Sequence, residues 1–193
     1  MLIENEIVLA QPIDKVWEFF NNIPQVAASL PGTELTDDLG NDEYKGRVGI
    51  SMGPIKLAFA GDAKVLERND TSNRLVISGS GADEKGRGNA SMVLTAQLTP
   101  APKGTKANMA IDLTLSGAAA QYGRGMVADV TAVLIGQFAQ NVQLRIDAIE
   151  RGEDVSNMTA KPASGLAIGM QAMRMAIVRV VKRFFAPYQP TIS

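Results

Sequence analysis

The spacing of hydrophobic residues along this chain shifts from helical to alternating and back. Residues 2–11 read as a strand, and Pro12, with Asp14 in the first turn, opens a helix whose Val16, Phe19, Phe20 and Ile23 share one face. Pro24 ends it, and residues 24–32 hold one more short helical turn before Pro31-Gly32 breaks the chain. From there to residue 116 the period is two. Tyr44, Val48, Ile50 and Met52 share one parity; Ile55, Leu57, Phe59 and Val65 another; then come Leu75 and Ile77; Met92, Leu94 and Leu98; and Met109, Ile111, Leu113 and Leu115. The turn-rich stretches between these runs, Gly53-Pro54, Asn69–Asn73, Asp83–Asn89 and Pro100–Thr105, predict hairpin connections and an antiparallel meander with one dry face.

Around Gly125 the helical period returns and holds to about residue 150. Val127, Thr131, Leu134, Phe138, Val142, Ile146 and Ile149 form one stripe, and Met126, Val130, Val133 and Leu144 a second, shorter one. A helix apolar over so wide an arc has more to bury against than one sheet. Residues 151–165 are polar and predict a flexible linker, with an r.m.s. reach of roughly 20 Å. Residues 166–186 then predict an amphipathic helix. Its apolar face holds Leu166, Met170, Met173, Ile177, Val180, Val181 and Phe184, with Arg179, Lys182 and Arg183 opposite.

One strand, one or two short helices, about six strands and one long helix make an α+β layer. If the sheet curves round the long helix, the space between need not be filled by side chains. Met52, Met92, Met109 and Met126 fall at expected inward positions, and methionine repacks readily round a flexible apolar guest.

Charge adds a second division. The last acid is Asp154; up to it the chain has 14 basic and 20 acidic residues, whereas the 39 residues beyond carry Lys161, Arg174, Arg179, Lys182 and Arg183 alone. An acidic body of −6 and a basic amphipathic tail of +5 fit a tail that meets an anionic membrane surface, docks in a partner's groove or packs on its own domain. No apolar run is long enough to cross a bilayer. The acidic residues at the N-terminus are unlike a signal peptide and predict a cytoplasmic, peripherally membrane-associated protein. The acidic body also disfavours nucleic acid.

The chain has neither Cys nor His, which removes disulfides, most metal sites and the usual catalytic bases. Gly123-Arg-Gly125-Met-Val-Ala128 matches a dinucleotide fingerprint but lacks the strand that would complete a βαβ unit. Gly79-Ser-Gly81 and Gly86-Arg-Gly88 flank a charged turn with no helix after it, so they read as a hairpin and not a phosphate loop. Among Glu4, Glu6, Asp14, Glu18, Asp112 and Asp129, no spacing forces two carboxylates together. Neither a catalytic residue nor a metal ligand is expected.

Pro12-Ile-Asp-Lys-Val-Trp-Glu-Phe-Phe-Asn-Asn-Ile-Pro24 followed by Leu30-Pro-Gly32 resembles the opening of the START-like helix-grip superfamily. Val48-Gly-Ile-Ser-Met-Gly-Pro-Ile55, Phe59-Ala-Gly61 and Gly117-Ala-Ala-Ala-Gln-Tyr-Gly-Arg-Gly125 are similar to the carbon monoxide dehydrogenase G-subunit family. The likeness covers residues 1 to about 150 and implies a START-like ligand-binding domain, with about seven antiparallel strands curved round the C-terminal helix. It further implies an accessory protein of the molybdenum–copper carbon monoxide dehydrogenase, recruiting that enzyme to the cytoplasmic face of the membrane. An apolar cavity together with an electron acceptor in the respiratory chain suggests an isoprenoid quinone, menaquinone or ubiquinone, as bound ligand. The alternatives are a pure membrane anchor or general lipid carrier, and a helix-grip enzyme acting on an apolar substrate.

The expected cavity lining is Met52, Phe59, Ile77, Met92, Leu94, Met109, Ile111, Leu113, Met126, Val127, Val130, Thr131 and Leu134, with Gln121 and Tyr122 as donors to a quinone carbonyl. The expected membrane-binding set is Leu166, Met170, Met173, Arg174, Ile177, Arg179, Val181, Lys182, Arg183 and Phe184.

Overall fold

The computed structural model describes residues 1–52, 55–156, 158 and 160, and of Ser51, Met52 and Ile55 the backbone alone. The elements run β1 (Leu2–Leu9), α1 (Ile13–Asn21), α2 (Ile23–Ser29), β2 (Thr33–Gly40), β3 (Glu43–Met52), β4 (Ile55–Asn69), β5 (Arg74–Asp83), β6 (Asn89–Ala101), β7 (Gly104–Leu115), a 3-10 turn (Gly117–Gln121) and α3 (Arg124–Glu150). The proposed tail helix of 166–186 lies outside the described residues.

The seven strands form one antiparallel sheet in the order β1-β7-β6-β5-β4-β3-β2. The helices α1 and α2 link its two edges, β1 and β2, and so span the sheet's width. Pro24 does not simply end α1: α2 starts at once with Pro24 in its first turn, where proline's missing N–H is harmless, and the Asn22 side chain accepts from the backbone N–H of Gln25 at 3.2 Å.

Alternation puts a dry row on one face. Ile3, Ile111, Leu94, Ile77 and Val65 are neighbours across β1, β7, β6, β5 and β4, and beside them run Met109, Ala96 and Leu75. Val16, Phe19 and Phe20 of α1 and Phe138, Val142 and Ile146 of α3 close over that end. Phe20 and Phe138 meet edge to face, ring centroids 6.0 Å apart. Each such side chain contributes roughly 1.5–3 kcal/mol by leaving water.

The helix α3 packs chiefly on β1, α1 and α2. Arg124 Nη2 donates to the Leu2 carbonyl at 3.1 Å, and Gln143 Oε1 accepts from the Ala10 N–H at 2.8 Å, so the outer edge of β1 is held at both ends. At the far end of α3, Gln11 Nε2 donates to Asp147 and Glu150, which also pairs with Lys15. Three expected members of the long-helix stripes end up half in water: Met126 at 50%, Leu144 at 57% and Ile149 at 48% exposed. Met126 and Leu144 lie on the side of α3 opposite the buried Val142.

Candidate functional site: the inner face of the sheet

The inner face carries two separate apolar clusters. The larger is the core under α1 and α3; the smaller joins Leu57, Phe59 and Ala119, with Ala90, Leu115 and Tyr122 against it. Between them the register aligns Gly46, Gly61, Gly81 and Ala90 in a line across β3, β4, β5 and β6. A Cβ at Gly46 would stand 2.7 Å from the Glu34 carbonyl oxygen, and one at Gly61 would run into that of Ser80. Neighbouring backbone bars a side chain at Gly46 and Gly61 and crowds one at Gly81, so nothing larger than Ala90's methyl stands up from this line. In the next row Ala63 and Gly79 are also small, and Tyr44 and Met92 rise on either side of them, Met92 reaching over Gly79.

Among the described residues α3 lies over the β1 side and makes no comparable contact with this low floor. Met92, Leu94 and Leu113 stay only half-buried although they project inward from central strands. They pack against the main core on one side and keep access on the other, which is where an apolar guest could touch them.

The expected lining residues divide accordingly. Ile77, Met109, Ile111 and Val127 belong to the larger core, and Phe59 is buried in the smaller cluster with Tyr122 packed on it. Thr131 and Leu134 are half-buried, and Thr131 spends its hydroxyl on the Val127 carbonyl at 2.8 Å. Met126 is a correction. It is 50% exposed because it follows Arg124 in the first turn of α3 on the side turned from the sheet. Gln121 is likewise exposed, at the end of the 3-10 turn. Val130 is buried but belongs to neither cluster. The Met52 side chain lies outside the described residues.

Three features go beyond the sequence expectations. Asn5 stands in the inner row beside Met109, and its Nδ2 is buried with no hydrogen-bond partner among the described residues. Asp83 is 4% exposed at the turn between β5 and β6 and accepts from Arg87 Nε at 2.8 Å and Nη2 at 2.7 Å, and from the N–H groups of Lys85 and Arg87. The Arg87 guanidinium, then these N–H groups, hold its carboxyl well below the usual carboxylate range despite burial. Arg87 also reaches the Lys56 carbonyl at 2.8 Å, so the expected hairpin is latched to β4 at the mouth of the inner face. The spacing Asp83 to Arg87 is the trace of this in the sequence. Third, Arg145 of α3 is 3% exposed; it donates to Gln25 Oε1 at 2.6 Å and to the carbonyls of Val155 and Ala28.

A depression of about 560 Å³ touches the inner row at Tyr44, Ala63, Gly79 and Met92, but most of its lining is polar and of the opposite parity. Asp62, Lys64, Ser78, Ser80, Ser91, Val93 and Asp112 in its lining alternate with the inward residues and belong to the outer face, and Met92 is the one expected residue it touches. Among the described residues no helix is long and apolar enough to cross a membrane, and no three acids cluster as metal ligands. Glu4 and Glu6 face solvent.

The sequence pattern of the carbon monoxide dehydrogenase G-subunit (CoxG) family matches residues 6–147. No curated protein matches. Among solved structures, a conserved protein of Geobacillus kaustophilus is 20% identical with a TM-score of 0.68, covering 76% of this chain and 95% of its own. A Thermus thermophilus protein is 13% identical with a TM-score of 0.54, covering 77% and 99%. The ZhuI aromatase/cyclase of a Streptomyces species is 11% identical with a TM-score of 0.50, covering 81% and 98%. These likenesses show the helix-grip fold and nothing finer.

Proposed function

The chain belongs to the CoxG family of carbon monoxide dehydrogenase, an accessory family of that enzyme, and from this premise we propose that it carries an isoprenoid quinone between membrane and dehydrogenase. The observation that supports this most is the glycine floor between two apolar clusters, with Met92, Leu94 and Leu113 inward yet accessible. An isoprenoid chain asks for such a space. It is apolar, flexible and long, and each CH₂ taken from water contributes about 0.8 kcal/mol.

The headgroup asks for little more than donors to its two carbonyls. Tyr122 sits on the smaller cluster, at the entrance latched by Asp83 and Arg87, and Asn5 offers an unused amide deeper along β1. Gln121, at the surface beside Tyr122, reaches only a headgroup that stops at the mouth. The protein in this reading contributes no bond-making step. It binds, shields and presents the quinone, and its basic segment of residues 166–186 supplies the attraction to anionic lipid that recruits the dehydrogenase to the membrane.

The test is native mass spectrometry of the full chain after incubation with vesicles containing menaquinone, followed by solvent extraction. A complex of one quinone per chain is expected. Protein that emerges without quinone at saturating supply, while still binding the vesicles, leaves a membrane anchor and ends the carrier reading.

A further inference from the structure

Helix α3 is buried on two sides, and only one of them is explained by the core. Val133 precedes Val142 by nine residues; at about 100° per residue that places it roughly half a turn away, facing from the sheet. Val142 is fully buried in the main core, as expected. Yet Val133 is 4% exposed and Val130, on the adjoining strip, 7%, while neither belongs to either apolar cluster. Met126 and Leu144 continue the strip at its two ends and stand half in water. A stripe of four apolar residues thus runs along the outward side of α3, covered at its middle and open at its ends.

We infer that residues 166–185 of the same chain fold back onto this stripe, so that the apolar face meant for lipid is stored on α3 when no membrane is present. Three observations fit this occupant. The first is position. The N–H of Ala160 donates to the Ala28 carbonyl at 3.3 Å, the same oxygen that receives Arg145 Nη2 at 3.4 Å, and Asn141 Nδ2 holds the Ser29 carbonyl at 2.9 Å. The described chain therefore leaves off beside α3 at the level of residues 141–145, at one end of the stripe.

The second is length. From Leu144 back to Met126 is about 27 Å at 1.5 Å per residue, and residues 166–185 as a helix span about 30 Å. The third is complementarity. Leu166, Met170, Met173, Ile177 and Phe184 recur at three- and four-residue steps, with one seven-residue step, and form a ridge that packs along such a strip. The segment brings bases and no acid, and Asp129, four residues before Val133, puts an acid on the receiving face.

The two fates of the segment exclude each other, since one apolar face cannot lie on α3 and in a bilayer together. Membrane arrival then uncovers Val130 and Val133. That half of the inference rests on the membrane reading above; the stowage itself does not.

The chain has no cysteine, so a single pair can be introduced cleanly. Gln137→Cys on the strip is combined in turn with Ala167→Cys, Ala172→Cys and Ala176→Cys in the full-length protein, and a short bismaleimide is added. At least one pair should cross-link within a chain, at tenfold or more the yield of Ser72→Cys paired with the same tail position, and anionic phosphatidylglycerol vesicles should suppress it. Cross-linking at control yield for all three pairs overturns the inference, as does cross-linking only between chains, which assigns the strip to a second copy. Intrachain cross-linking that vesicles leave unchanged keeps the stowage and removes the membrane reading. Met173→Glu, which spares the folded domain, should free the tail and speed tryptic cleavage at Arg179 about tenfold in solution. Unchanged cleavage speaks against stowage.

Discussion

Arg145 donates from Nη1 to Oε1 of Gln25 at 2.6 Å, joining α3 to α2 through a buried guanidinium whose partners among the described residues are neutral oxygens. Burial lowers its pKa, yet an arginine stays charged, so the cost of burying it is offset only by these bonds. Arg145→Met should strip the Ala28 and Val155 carbonyls of a donor and lower stability by roughly 1–3 kcal/mol, read in urea unfolding. The loss should come with earlier proteolysis around Val155.

Gly61→Ala tests the floor of the inner face. The new methyl meets the Ser80 carbonyl, which is backbone and cannot step aside without opening the pairing of β4 and β5. A loss of about 2–3 kcal/mol is expected in denaturant unfolding. Gly79→Ala has only the flexible Met92 side chain to displace, with its methyl at 3.3 Å, and should cost clearly less.

The latch at the mouth has a pH signature. Arg87 holds the Asp83 carboxylate below its ordinary range when folded, so its contribution to stability is full above the unfolded value of about 3.9 and is lost as pH falls below it. The gap in melting temperature between the parent protein and Asp83→Asn should therefore be constant near neutrality and narrow below about pH 4. A gap that widens on acidification would mean that the carboxylate is not the stabilising form.

Leu134→Trp places an indole on α3 in a half-buried position facing the proposed ligand space. Displacing two or three carbons of an isoprenoid chain forfeits about 2 kcal/mol, close to thirtyfold in affinity. Quinone recovered by extraction from vesicle-loaded protein should fall accordingly, with the far-ultraviolet circular dichroism unchanged.

Arg179→Glu changes the tail by two charges. At about 1 kcal/mol per charge near an anionic surface, vesicle partition should drop by roughly thirtyfold at low salt. Quinone already bound should remain. Equal sedimentation of the two proteins with anionic vesicles would remove the tail from the membrane contact.

Much of this architecture was legible in the spacing of apolar residues. Val16, Phe19 and Phe20 announced α1, the alternating runs announced the meander, and the stripe from Val127 to Ile146 announced α3, because each pattern reflects burial against one neighbour. The strand β2 was the least visible, since its Asp37, Asp38 and two register shifts belong to an exposed edge where alternation has nothing to answer to. Arg145 and Asp83 escaped notice for another reason. A charged residue reads as surface until its partners are known; for Arg145 two of the three, Gln25 and Ala28, are 120 and 117 residues away, and for Asp83 they are partly backbone. Met126 was misplaced because two stripes on one helix cannot be ranked until the sheet chooses between them.

The pairing of β1 with β7 also sets when the domain can exist. Leu2 waits for Asp112, and the carbonyl of Leu2 and the N–H of Ala10 wait for Arg124 and Gln143, so a nascent chain emerging from the ribosome keeps its first strand unpartnered until nearly the whole domain is made. Folding is then bound to be late and non-local, and slow by comparison with a helical bundle of equal size. The sticky basic segment of residues 166–186 leaves the exit tunnel after β7 and α3, and thus becomes available only after the sheet has had its chance to close.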